Sequence, residues 1–123
     1  MWEEVRRLTP WADLRTYDAG AAVLTREPGD VVVIYSERAP DEMRRRGVLG
    51  KAKADRRLVF VFLGDLERLL RLPRGTHAFQ VALGRVVAHE LEHVRRGAGG
   101  HDERGWFVAC LGREDLLSPW FGR

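Results

Sequence analysis

The chain has 123 residues, 45% of them hydrophobic, which is enough for one core and too few for two, so a single domain over 1–123 is expected. No run approaches the ~20 apolar residues of a membrane span, the N-terminal stretch has no signal-like apolar core, and a lone cysteine, Cys110, excludes an intrachain disulfide. These features point to a cytoplasmic protein with no membrane partner, and the net charge of +3, with 18 acidic residues interspersed among 21 basic ones, gives little reason to expect a nucleic-acid partner.

Trp2 to Leu8 has the length of one or two helical turns ahead of Pro10, and Leu14 to Leu24 reads as extended around Asp18 and Gly20. Pro28-Gly29-Asp30 is turn chemistry, and the β-branched run 31–35 after it reads as a buried strand. The segment from Ser36 to Lys53 is charged and carries two glycines, so it reads as a surface connection with one helical turn; Arg44-Arg45-Arg46 within it reads as a solvated face. Leu58 to Leu63 is a second strand, apolar on both faces, and leucines at 66, 69, 70 and 72 predict a short amphipathic helix ending near Pro73.

The longest element is predicted over 77–96. Gly75-Thr76 offers a cap, Phe79, Ala82, Val86, His89 and His93 fall on one helical stripe, Arg95 and Arg96 suit the C-terminal end of the dipole, and Gly97 can take the left-handed conformation that stops a helix. Gly84 inside it suggests close packing against the sheet. A final short helix is predicted near 113–117, and Cys110, in an apolar run, reads as a buried small hydrophobe. The absence of Asn and the single Gln suggest a heat-adapted source.

His89-Glu90-Leu91-Glu92-His93 sets two imidazoles one helical turn apart, where they can share a metal ion, with Glu90 beside it to take a proton from a water. For a single histidine on an apolar stripe the blander reading, a hydrogen-bonded core side chain, is preferable. Two histidines and a carboxylate together would be expensive to desolvate without a metal. A catalytic ion needs a third protein ligand and an open position. His101, reached through a turn rich in glycine, is the natural third ligand, and Glu114, on the predicted last helix, is its rival.

With these residues in place the chain resembles the zincin metallopeptidases. It is most similar to small bacterial zinc peptidases whose signature, His-Glu-x-x-His, three residues, Gly, three residues, His, three residues, Gly, falls here on His89, Glu90, His93, Gly97, His101 and Gly105. The resemblance covers about the second half of the chain. It implies Zn2+ held by His89, His93 and His101, Glu90 as general base, and hydrolysis of a peptide or protein substrate. It also implies an α+β zincin-like fold, a small twisted mixed sheet with the motif on one long helix. Three departures stand out. Val94-Arg95-Arg96 is one residue longer than the metzincin spacing, Phe107 stands where such families place a methionine, and Glu92 stands where glycine is common. Tyr17, Tyr35, His77 and Arg104 are candidate second donors to an oxyanion, and the 58–63 strand is a candidate edge for an extended peptide. The competing reading is a non-catalytic, zinc-stabilised protein-binding module. Oligomeric state is not legible.

Overall fold

The computed structural model describes residues 1–13, 29–97, 100–101 and 111–123. The elements, in chain order, are α1 (Trp2–Leu8), β1 (Val32–Ser36), α2 (Asp41–Arg45), β2 (Gly50–Lys53), a 3-10 turn (Ala54–Arg56), β3 (Leu58–Phe62), α3 (Leu63–Leu70), α4 (His77–Arg96) and α5 (Arg113–Leu117). This is a small α+β arrangement around a mixed three-stranded sheet of order β1-β3-β2. β1 runs parallel to β3 with Val33 opposite Val59, and β2 runs antiparallel to it with Gly50 opposite Val61 and Ala52 opposite Val59.

The apolar run of β3 makes it the centre of the sheet. Val59 and Val61 are fully buried and face α4, and alternation puts Gly50 and Ala52 of β2 on that same face. Lys51, Lys53 and Phe60 lie on the opposite face, where the Lys53 ammonium sits 6.0 Å from the Phe60 ring centre. This topology corrects the edge assigned to 58–63. β3 is paired on both sides, so its backbone donors and acceptors are already used, and among the described strands the edge beside α4 is β2, within a segment read from sequence as a surface connection.

The long helix forms where the sequence places it. The Thr76 hydroxyl accepts from the Phe79 N–H at 3.3 Å, a cap of the kind that contributes about 1 kcal/mol, and Gly97 closes the helix in the left-handed region at φ 73°. Phe79, Ala82, Val86 and His89 are all buried along one stripe. Gly84, however, is not a contact with the sheet. A Cβ there would lie 2.6 Å from the Met1 carbonyl oxygen and 3.0 Å from the Glu4 Cβ, so the missing side chain lets α1 approach α4.

α3 begins at Leu63, ahead of the leucines at 66, 69 and 70, and Gly64 docks on the 37–40 segment, where its N–H donates to the Glu37 carbonyl at 2.8 Å. Beside it the buried Asp65 carboxylate accepts from the Ala39 N–H at 2.7 Å and from Arg68. α3 ends at Leu70, since Arg71 takes the left-handed conformation at φ 56°, and Leu72 lies beyond it. Among the described residues no helix is long and apolar enough to cross a membrane. The 14–24 segment, Tyr17, Arg104, Gly105, Phe107 and Cys110 lie outside the described residues.

Candidate metal centre

His89 and His93 stand one turn apart near the C-terminal end of α4, and the chain beyond Gly97 returns His101 to them. The ring centres are 5.1 Å apart for His89 and His93, 5.2 Å for His89 and His101, and 4.6 Å for His93 and His101. One nitrogen from each ring lies within 4.8 Å of the other two. His89 is buried, His93 half-buried and His101 exposed, so the cluster opens from the protein interior toward solvent. Glu114 is exposed on α5 and joins neither this cluster nor the cavity around it. Of the two candidates for a third ligand, the chain brings His101 to the histidine pair.

Three imidazole nitrogens suit a borderline divalent ion such as zinc. Bonds of ~2.0–2.1 Å in a tetrahedral shell imply nitrogen separations of ~3.4 Å, so a pair at the 4.8 Å limit would have to draw together by roughly 1.4 Å. Burial, with lesser contributions from His101 and Arg96, lowers the His93 pKa below its ordinary value, which favours the neutral, ligating form near neutral pH. The donor set therefore fits a metal.

The three histidines open on a cavity of about 450 Å³, shared with Glu90, Val86, Gly97 and Leu111 and walled on one side by residues 46–52 and Ala54. Glu90 is 7% exposed, and burial pushes its carboxyl up to about 8. It is packed against β2. A Cβ on Gly50 would lie 2.9 Å from the Glu90 Cγ, 3.3 Å from its Cδ and 2.9 Å from the Phe60 carbonyl oxygen. Gly50 is thus the space into which the Glu90 side chain lies, a role that periodicity and composition do not reveal. Gly50→Ala is expected to destabilise the protein by about 1–3 kcal/mol in urea denaturation, the usual scale of overpacking. Part of that loss should return when Glu90 is shortened to Ser in the same chain. An equal loss in both backgrounds would show that the clash falls on the Phe60 carbonyl alone.

Glu92, the departure from the motif's usual glycine, is buried and neutralised within its own helix. Arg95 and Arg96 both donate to its carboxylate and hold it below its ordinary pKa, so the charge is consumed next to the site. Two of the candidate oxyanion donors are placed elsewhere. The Tyr35 hydroxyl donates to the Met1 sulfur at 3.3 Å, and His77 is exposed at the first turn of α4, twelve residues or ~18 Å of helix from His89. Neither lines the cavity, whereas Arg46 does, a residue that sequence reading assigned to a solvated face. Compared with known protein families, curated proteins and solved structures, the chain matches none.

Proposed function

We propose that the protein is a metal-dependent hydrolase of the zincin type, acting on peptide or protein substrates, with His89, His93 and His101 as ligands of one zinc ion and Glu90 as general base. The observation that carries this reading is the convergence of three imidazole nitrogens within 4.8 Å in a cavity that also holds a buried carboxylate. A bound divalent ion would supply Lewis acidity and a water of lowered pKa. Glu90, in the same cavity, would accept that water's proton as a scissile carbonyl is attacked and return it to the leaving amine. Burial raises the Glu90 carboxyl in the metal-free chain, and a divalent cation in the same cavity would draw it back toward the ionised form that accepts a proton. An extended substrate would pair with the edge of β2, which borders the cavity, in place of β3.

Metal content per chain tests the reading directly, by mass spectrometry on protein purified without added metal. The expected result is one zinc per chain in the parent and in Glu114→Ala, with loss in His101→Ala. Loss in Glu114→Ala instead would move the third ligand to that carboxylate. A fourth protein ligand with no exchangeable water, seen by X-ray absorption, would replace the hydrolase with a zinc-stapled binding module. No metal in the parent, and none taken up on titration, would reject both.

A further inference from the structure

The charge of this chain is not spread evenly, and its uneven part borders the cavity. Between Asp41 and Arg57 there are seven basic and three acidic residues, a net of +4, while the remaining residues hold fourteen basic and fifteen acidic, a net of −1. The whole positive excess of the protein therefore sits in the arm formed by α2, β2 and the 3-10 turn. That arm supplies eight of the fifteen described residues around the cavity, so the field it creates falls on whatever enters there.

We infer that the cavity receives acidic polypeptide segments, with Arg46 and the lysines of β2 selecting Asp or Glu side chains near the bond that lies over the histidines. This rests on the hydrolase reading for the chemistry, and on the charge of the arm for the choice of substrate. Arg46 is exposed at the end of α2 and lines the cavity, and no ion pair among the described residues engages it or Lys51. Arg44 and Arg57, by contrast, are occupied by Asp41 and by the Gly29 carbonyl. Among the described residues around the cavity, the charged side chains besides the histidines, Arg46 and Lys51 reduce to Glu90, at the buried end.

Distance supports the same reading. The four residues of β2 span only ~10 Å, comparable to the Debye length of ~8–10 Å at physiological salt, so Lys51 and Lys53 act on a chain along that edge even from the far sheet face. A single-stranded nucleic acid would also be attracted by such a field. It needs stacking surfaces for its bases, however, and among the described residues no Phe, Tyr or Trp borders the cavity. Val48, Leu49, Ala52, Val86 and Leu111 instead offer small apolar walls suited to side chains, and the β2 edge offers backbone pairing.

The test uses the zinc-loaded Glu90→Ala protein and fluorescein-labelled ten-residue peptides carrying four Glu around an Ala-Leu pair, with matched Gln and Lys versions and a ten-residue oligo-dT. By anisotropy in 50 mM salt the Glu peptide should bind at least tenfold more tightly than the Gln peptide, and the gap should shrink to within twofold at 500 mM. Adding Arg46→Glu and Lys51→Glu should cut the preference below threefold, whereas Arg6→Glu, outside the cavity, should leave it intact. Equal affinity for the Glu and Gln peptides, or a preference untouched by the double charge reversal, would overturn the inference. Tighter binding of oligo-dT than of the Glu peptide would also overturn it, assigning the arm to nucleic acid. The salt response of the charge-intact protein keeps the test decisive if the double variant folds poorly. Failure of the hydrolase reading is separable: a Glu peptide bound selectively but left uncut by the zinc-loaded parent upholds the inference and rejects the peptidase. Equal cleavage of Glu and Gln peptides does the reverse.

Discussion

Glu90→Gln is expected to lower turnover of any peptide the protein cleaves by about 10²–10⁴-fold, the usual contribution of a positioned general base, while metal content stays at the parent level. Glutamine keeps the shape that fits against Gly50 but cannot accept the proton. The same substitution has a second consequence in metal-free protein. Burial raises the Glu90 carboxyl from its ordinary 4.5 to about 8, so between those values the folded chain keeps a proton that the unfolded chain has released. The unfolded state then binds fewer protons, and stability falls as pH rises through this window. The full difference is on the order of 4 kcal/mol. His93 acts in the opposite sense, because its lowered pKa makes the folded state the poorer proton binder in mild acid. Comparing parent with Glu90→Gln removes that term. In chelator, the two proteins should unfold at similar denaturant concentrations at pH 4, and the Gln variant should be the more stable at pH 8. A constant gap at both pH values would mean that the carboxyl is not buried as described, and the base assignment would lose its physical support.

The parts of this molecule legible in its sequence are those whose signals are local. α4 announces itself through Thr76, Gly97 and an unbroken apolar stripe, and β3 through five consecutive apolar residues. The two motif histidines could be placed on one helix face from spacing alone. β2 could not be read, because Gly-Lys-Ala-Lys has neither an apolar run nor β-branched residues. Short, charged strands are typical of sheet edges, so the feature that hides β2 also follows from its position. The reassignment of Gly84 has a similar origin: helical periodicity shows that close packing occurs but not which neighbour approaches, and here it is α1. Arg46 and Gly50 were invisible as site residues because their roles depend on a strand beside α4, a long-range fact. His101 was suggested by the pattern of glycines, yet its near-parallel stacking on His89, at 24° between ring planes, is a tertiary outcome.

Arg85→Met should be the most destabilising substitution outside the candidate site, lowering stability by about 3–5 kcal/mol. Arg85 is buried in the middle of α4, where its Nε donates to the Glu4 carboxylate at 2.7 Å and its Nη1 to the Leu116 and Ser118 carbonyls at 2.8 and 2.7 Å. Its guanidinium also lies 4.7 Å from the Phe121 ring centre, and Arg7, which shares Glu4, donates to the Phe121 carbonyl at 2.6 Å. Burial alone would raise the Glu4 carboxyl, but hydrogen bonds from Arg7 and Arg85 overcome it and hold it below its ordinary value. One guanidinium therefore ties both ends of the chain to the helix that carries the histidines. Methionine fills much of the volume but takes the Arg85 donor from the Leu116 carbonyl and leaves the Ser118 carbonyl only the Phe121 N–H at 3.4 Å, a loss on the order of 1–3 kcal/mol for the orphaned carbonyl. The C-terminal segment should yield first, since α5 is only five residues long and, besides Arg85, is held by the packing of Leu116 and Phe121 and by hydrogen bonds from Arg7 and Arg113. Limited proteolysis of the variant should cut within 111–123 before any other described segment, and its melting midpoint should fall by roughly 10 °C or more. Leu111 forms part of the cavity wall, so the same variant should lose peptide affinity while the histidines on α4 still bind metal. A variant that kept its melting midpoint would show that Arg85 adds little to the clasp, and the ordering of the C-terminal segment would have to come from Leu116 and Phe121 packing and the hydrogen bonds from Arg7 and Arg113.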